Sequence, residues 1–258
     1  MRVMSGYREL LEKEVIEAWR THRVVMVAAL YVVLGIASPL IIRYLPELQS
    51  LVGPAGEELG LGEVGLPDAI DLVTRNLAQF GSIAAVLLAM GAVAGERERG
   101  TLGLVLSKPV SRTAFLASKL VSIAMVLGLA TFLGVLAMYL YSGLLFGPTD
   151  PLAWAQVAML LLLAVLVPAG ITFLGSVLSG SSLGAAAIGL AGLVALSLGS
   201  TLPTANPLFS TGLAEIARAL PLEGVGPDLD APRTIAVSIG TLVVSVLLAW
   251  ARFRRSDV

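Results

Sequence analysis

Residues 77–112 read LAQFGSIAAVLLAMGAVAGERERGTLGLVLSKPVSR. Leu77 to Ala94 carry no charged side chain. Such a run approaches the about 20 apolar residues that a helix needs to cross a bilayer core. Four consecutive charges, Glu96, Arg97, Glu98 and Arg99, end it abruptly. Gly100 and Gly103 then flank a short apolar run, Leu102, Leu104, Val105 and Leu106. Pro109 stops any helix formed there, because proline lacks the backbone donor and restricts the residue before it. Arg112 and Lys119 stand about two helical turns apart where the next apolar run begins. The stretch predicts a membrane span, a short helix or turn roughly parallel to the membrane between charged posts, and a second span.

Five further runs of this kind surround it, one of them directly following. The six predicted spans are Val24 to about Leu45, Leu77–Ala94, Phe115–Phe146, Leu152–Leu178, Leu183–Leu202 and Thr234–Trp250. Pro168 predicts a kink in the fourth. The fold class is therefore an all-α membrane protein with six transmembrane helices. Composition agrees: 57% of the 258 residues are apolar, 14% are charged, and the mean hydropathy is +0.89. A soluble domain carries about 25% charged residues. A cleaved signal peptide fits the first span poorly, because the polar region ahead of it exceeds 20 residues and the apolar run exceeds a signal core.

Orientation follows from the distribution of Lys and Arg. With the N-terminus cytoplasmic, only Arg43, Arg75, Arg218 and Arg233 of the 17 basic residues fall outside. Both termini are then cytoplasmic. The outer segments are about 46–76 and 203–233. The first holds the acidic cluster Glu47, Glu57, Glu58, Glu63, Asp68 and Asp71, and the second a short amphipathic stretch, Pro207 to Leu220. Residues 1–22 form a separate unit, an amphipathic interfacial helix over residues 4–22. Met4, Tyr7, Leu11, Val15 and Ala18 recur on one face, and Trp19 and Tyr7 suit headgroup depth. Residues 23–258 form the membrane domain.

Several functions are excluded. The chain has one histidine, His22, and no cysteine, so neither a two-histidine zinc protease nor a serine–histidine hydrolase can be assembled. No G-x-x-x-x-G-K-[ST] phosphate loop occurs. A net charge of −1 gives no field for nucleic acid. The predicted spans hold no interior Asp, Glu or His, the usual marks of a proton relay. Polar lining falls to Asn76, Gln79, Ser82, Ser122, Thr131, Thr172 and Ser176.

The charged link has two readings. One is an ordinary loop with basic anchors, in which an exposed pair such as Glu96 with Arg99 adds well under ~1 kcal/mol. The other starts from the apolar residues inside the link, which need a membrane surface or a protein groove. Gly95, Glu96, Gly100, Thr101, Leu102, Val105, Leu106, Ser107, Pro109, Val110, Ser111 and Arg112, followed by Lys119 and Leu120, resemble the region after the second helix of ABC-2 type permeases. These are the membrane subunits of a class of ATP-binding-cassette exporters. Val105 stands where leucine is common. The topology and the N-terminal helix extend the resemblance over the chain. The nearest flavour is that of multicopper-enzyme and nitrous-oxide-reductase maturation permeases.

The resemblance implies a multi-pass permease subunit of the cell (plasma or inner) membrane, not itself an enzyme. ATP and Mg would bind a separate ATP-binding subunit, with no cofactor on this chain. Residues 95–113 would form the coupling segment that docks on that subunit. Leu102, Leu104 and Leu106 are candidate knobs, and Glu96, Glu98 and Arg112 candidate polar contacts. Arg99, Gly100, Thr101 and Pro109 complete the candidate partner-binding set. Ser179 to Ser182 would be a minor second contact. Two such permeases would pair, as a homodimer or a heterodimer, with Gly128, Gly134, Gly184, Gly189 and Gly192 as candidates for close helix approach. The alternative is a membrane anchor or assembly factor that recruits a cytoplasmic protein through the same segment without transport.

Overall fold

The structure, a computed structural model, describes residues 6–52, 65–107, 110–200, 212–222 and 230–255. Those residues form ten helices and no strand. In chain order they are α1 (Tyr7–Arg20), α2 (Arg23–Val52), α3 (Leu66–Met90), α4 (Ala94–Glu98), α5 (Leu102–Leu106), α6 (Arg112–Phe146), α7 (Pro151–Leu178), α8 (Ser182–Ser200), α9 (Gly212–Ala219) and α10 (Ala231–Arg254).

Three long helices begin where a small polar side chain accepts an otherwise unpaired N–H. Ser111 Oγ accepts from Ala114 N at 3.0 Å ahead of α6, Asp150 from Leu152 N at 3.0 Å ahead of α7, and Asp230 from Arg233 N at 3.2 Å ahead of α10. Pro151 and Pro232 occupy first turns, where a missing N–H has no helical partner to lose.

Among the described residues, five segments are long and apolar enough to cross a membrane: Arg23–Glu47, Leu66–Glu98, Arg112–Phe146, Pro151–Leu178 and Ala231–Arg254. The expected fifth span lies on α8. Its apolar part, Ser182–Leu198, is shorter than these, and the end of the expected run at Leu202 lies outside the described residues. α7 continues through Pro168 as one helix.

The segment expected as the first outer one, about 46–76, is helical at both ends. Residues 46–52 continue α2, and α3 starts at Leu66 instead of Leu77. Asp68, Asp71 and Arg75 are helical because their apolar neighbours Ala69, Ile70, Val73 and Leu77 all face the core. Asp71 and Arg75 also pair one turn apart at 2.9 Å. Glu57, Glu58 and Glu63 lie outside the described residues. In the expected second outer segment, α9 covers part of the expected 207–220 helix and buries Leu213, Ile216 and Ala217 beside α3 and α7.

α7 is the hub and touches α3, α6, α8, α9 and α10. α2 packs chiefly on α6. Between lipid-solvated helices this packing relies on close fit, which small residues permit. A Cβ added to Gly134 would lie 3.0 Å from the Tyr31 carbonyl oxygen and side chain, and one on Gly35 would strike the Gly134 carbonyl. Gly189 and Gly192 likewise receive Thr172 and Ile171 of α7. Gly134, Gly189 and Gly192, expected between two copies, thus serve packing within this chain. The buried side chains form two clusters, one around Phe115, Phe173 and Phe253, the other around Tyr31, Ile70, Met138 and Trp154.

Candidate functional site

α3 ends at Met90, the chain bends over Gly91–Val93, and α4 starts at Ala94. Breaking a helix frees backbone groups that must find partners when buried. Ser176 of α7 supplies them. Its Oγ accepts from Val93 N and Ala94 N, each at 3.0 Å, and donates to Met90 O at 2.8 Å. One hydroxyl uses both its lone pairs and its proton.

The charges that follow turn three ways. Arg97 donates to Ser179 O at 2.7 Å and Val177 O at 3.5 Å, covering carbonyls at the end of α7. Glu98 accepts from Ser182 N at 2.9 Å and Ser182 Oγ at 2.6 Å, so its carboxylate sits at the positive end of the α8 dipole. Glu96 turns inward and is 2% exposed. Its Oε1 lies 2.7 Å from Lys119 Nζ and 3.4 Å from Lys13 Nζ. Its buried Oε2 has no hydrogen-bond partner among the described residues.

Lys119, 5% exposed, also reaches Glu14 Oε1 at 3.0 Å and lies 5.1 Å from the Phe115 ring centroid. Lys13 adds contacts to Glu14 at 3.2 Å and Glu17 at 3.6 Å. Alternating charges thus tie α1, α4 and α6 together. Burial alone would raise the Glu14 carboxyl, but the Lys119 and Lys13 ammonium groups outweigh it and hold Glu14 below its ordinary range. Partial burial alone would lower Lys13, yet Glu14, Glu96 and Glu17 hold it above its ordinary value.

Gly100 then reverses the chain with φ +67°, a left-handed conformation that glycine adopts without strain. Thr101 N and Oγ1 both donate to Glu96 O, at 2.9 and 3.2 Å. α5 follows with two unlike faces. Leu102 is 4% exposed and packs in the Phe115–Phe253 cluster, while Leu104 is 69% exposed. Arg112 donates to Arg254 O at 3.0 Å and Phe253 O at 3.4 Å, fastening the start of α6 to the end of α10.

The candidate residues therefore divide. Glu96, Glu98, Thr101, Leu102 and Arg112 are engaged within the chain. Arg99, Gly100 and Leu104 are exposed, as is Gly103. Pro109 and the side chain of Leu106 lie outside the described residues. The exposed Glu96–Arg99 pair does not form, because α4 turns Glu96 toward Lys119 on α6. Ser179 and Ser182 hold Arg97 and Glu98.

Sequence reading missed Glu14 and the burial of Lys119, and it expected Ser176 as polar lining, whereas its hydroxyl closes the bend between α3 and α4. Glu14 carried a signal: it lies between Leu10 and Ala18 at four-residue steps, on the face α1 turns inward. That face is Tyr7, Leu10, Leu11, Glu14 and Ala18, leaving Val15 and Trp19 exposed. Lys119 carried one too, as a charge four residues into an apolar run.

Helices of membrane length and a helical pair fastened to one end of the bundle define a multi-pass membrane protein with a rigid feature at one membrane face. The profile of ABC-2 family transporter proteins matches residues 8–258, and the chain belongs to that family. It is 28% identical over 266 residues to the uncharacterized transmembrane protein YxlG of Bacillus subtilis (strain 168), covering 100% of this chain and 99% of the relative. It is 29% identical over 228 residues to the probable ABC transporter permease protein NosY of Stutzerimonas stutzeri, covering 76% of this chain and 83% of the relative. The protein is thus a multi-pass protein of the plasma membrane, and its family implies an ATP-binding subunit as partner.

Proposed function

We propose that this chain is the permease half of an ATP-driven exporter, docked through residues 95–113 on a separate subunit that binds ATP and Mg. α8 is the fifth of six spans, both termini are cytoplasmic, and α1 lies at the membrane interface. Two permeases, identical or similar, complete the transporter.

The observation that carries this reading is Leu104. It is a large apolar side chain, 69% exposed, on a helix outside the membrane-length segments. A protein groove is the environment that removes it from water. α5 cannot yield freely when pushed, since Leu102 anchors it in the core and Ser176, Arg97 and Glu98 bind the preceding α4 to α7 and α8. ATP would draw two partner subunits together, and the rigid pair α4–α5 would pass that displacement into the bundle. Arg75, Gln79 and Ser82 line a cavity of about 430 Å³ between α3, α7 and α8. Pro168 and Ala164 line it too, and Pro168 lacks the N–H that would bond the Ala164 carbonyl. This lining suits a neutral or amphipathic solute, or a wall that moves while the complex works on an outer partner.

The test is co-purification from native membranes with wild type and Leu104→Asp, together with ATPase turnover. An ATP-binding-cassette subunit should copurify with wild type and be lost with the variant. Retention by the variant moves the docking site elsewhere. Absence of any ATPase from wild type sinks the exporter reading in favour of an anchor or assembly factor.

A further inference from the structure

We propose that the side-chain amide of Gln79 on α3 pairs with Gln79 of a second copy of this chain, making the exposed face of α3 an interface between two copies inside the membrane. The inference deepens the reading that two permeases pair and rests on it. It does not depend on where the ATP-binding subunit docks.

Gln79 is exposed and forms no hydrogen bond with another described residue. Packing sets its depth. The exposed apolar stripe of α6 runs from Met125 through Phe132 and Leu136 to Leu144. It covers about 28 Å of helix, close to the about 30 Å of a hydrocarbon core. Gly134 lies at the middle of that stripe and receives Tyr31. The Tyr31 hydroxyl in turn lies against Gly81 of α3, where an added Cβ would strike it. Gln79 is two residues from Gly81, about 3 Å along the axis. Its amide therefore sits near the bilayer centre, too far from either surface for a glutamine side chain to reach water.

Lipid cannot satisfy an amide there. Near the middle of α2, α6 and α10 the exposed side chains include Val33, Phe132 and Val243, which lipid covers well. The face of α3 needs a polar partner instead. A carboxamide carries both donors and an acceptor, so it is complementary to itself. A two-fold axis brings the same patch of two copies face to face, and each Gln79 then donates to the carbonyl of the other. Phe80 and Ile83, each 42% exposed, supply apolar contact beside it. The face does not repel its copy, because Arg75 is held by Asp71 at 2.9 Å. A second copy also closes the cavity of about 430 Å³, which the exposed Gln79 and Ile83 leave open along α3. A solute would leave the amide unpaired whenever the cavity emptied, and water reaching it would also wet Phe80 and Ile83.

The experiment is cross-linking of the full-length protein in native membranes with a short, membrane-permeant bismethanethiosulfonate. The chain has no cysteine, so each introduced one reports its own position. Ile83→Cys should link two copies, while Phe132→Cys on α6 and Val243→Cys on α10 should not. Adding Gln79→Leu to Ile83→Cys should lower the linked fraction about threefold or more, and Gln79→Asn, which keeps the amide, should lower it less. Gln79 bonds nothing within the chain, so the leucine variant should keep its far-ultraviolet circular dichroism, and Gln79→Ala replaces it if it is not monodisperse. Links at Phe132→Cys or Val243→Cys but not at Ile83→Cys overturn the proposal and leave the pairing of permeases standing on another face. No link at any position, with a monomeric mass in native mass spectrometry, removes the pairing itself. An undiminished link at Ile83→Cys after Gln79→Leu overturns the role of the amide. Rapid labelling of unlinked Ile83→Cys by a charged, impermeant methanethiosulfonate also overturns it, since the face would then line a water-filled cavity.

Discussion

Lys119 Nζ lies 2.7 Å from Glu96 Oε1, with both side chains almost wholly withdrawn from solvent. The pair joins the second turn of α6 to the short helix that leaves the end of α3. Glu14 from α1 shares the same ammonium group at 3.0 Å. A single cation therefore holds the N-terminal helix and the charged link on one helix of the bundle.

Replacing Lys119 with methionine should destabilise the protein by at most about 3–5 kcal/mol, since it leaves the Glu96 and Glu14 carboxylates with only the half-exposed Lys13 as cationic partner. Adding Glu96→Gln and Glu14→Gln should recover much of the loss. Denaturant unfolding in detergent measures both, and an unchanged midpoint in Lys119→Met would show that the pair contributes nothing.

Ser176→Ala should leave the Val93 and Ala94 amides without a partner, at a cost of about 1–3 kcal/mol for a buried group left unpaired. Hydrogen exchange localises the effect. Peptides spanning residues 91–98 should exchange faster, while those from the middle of α6 keep their protection. Unchanged exchange at 91–98 would mean that the bend is held by other contacts.

The attachment of α1 should respond to pH at both extremes. Glu14 is held below its ordinary value of 4.5, so its contribution is complete above that value and disappears as pH falls through the lowered one. Lys13 is held above its ordinary value of 10.5, so its contribution is complete below that value and disappears as pH rises through the raised one. Trp19 fluorescence in a Trp154→Phe, Trp250→Phe background should be flat between about pH 5 and 10 and change outside that window. A transition near neutral pH would contradict the assignment.

Two glycines provide an internal comparison. Gly35→Ala drives a methyl group into the Gly134 carbonyl, and overpacking of this kind costs about 1–3 kcal/mol. Gly143, on the same long helix as Gly134, has nothing within 4 Å of an added Cβ. Gly143→Ala should therefore be neutral or stabilise by about 0.5–1 kcal/mol. Thermal midpoints of the two variants should move in opposite directions or differ clearly, and equal shifts would refute the close α2–α6 approach.

Much of the architecture was legible because span length is a property of consecutive residues. The apolar runs place α2, α6, α7 and α10 close to their observed positions. The charges of residues 96–99 mark where α4 ends. The start of α3 was not legible, because Asp68, Asp71 and Arg75 interrupt the apolar run. Their helix is stabilised by the buried Ala69, Ile70 and Val73 and by the Asp71–Arg75 pair.

The amino-acid order by itself determined that the chain is a helical membrane protein with a charged, proline-ended link after an early span. Hydrophobic length, charge placement and missing backbone donors act locally and need no tertiary context. Only the tertiary structure decided what each charge in the link does. Glu96 and Arg99 are three residues apart, yet one is buried and the other exposed. Glu96 meets Lys13 across 83 positions, and Lys119 meets Glu14 across 105. Burying such charges is tolerable only where opposite charges from distant helices converge, and that convergence exists only once α1, α4 and α6 have packed.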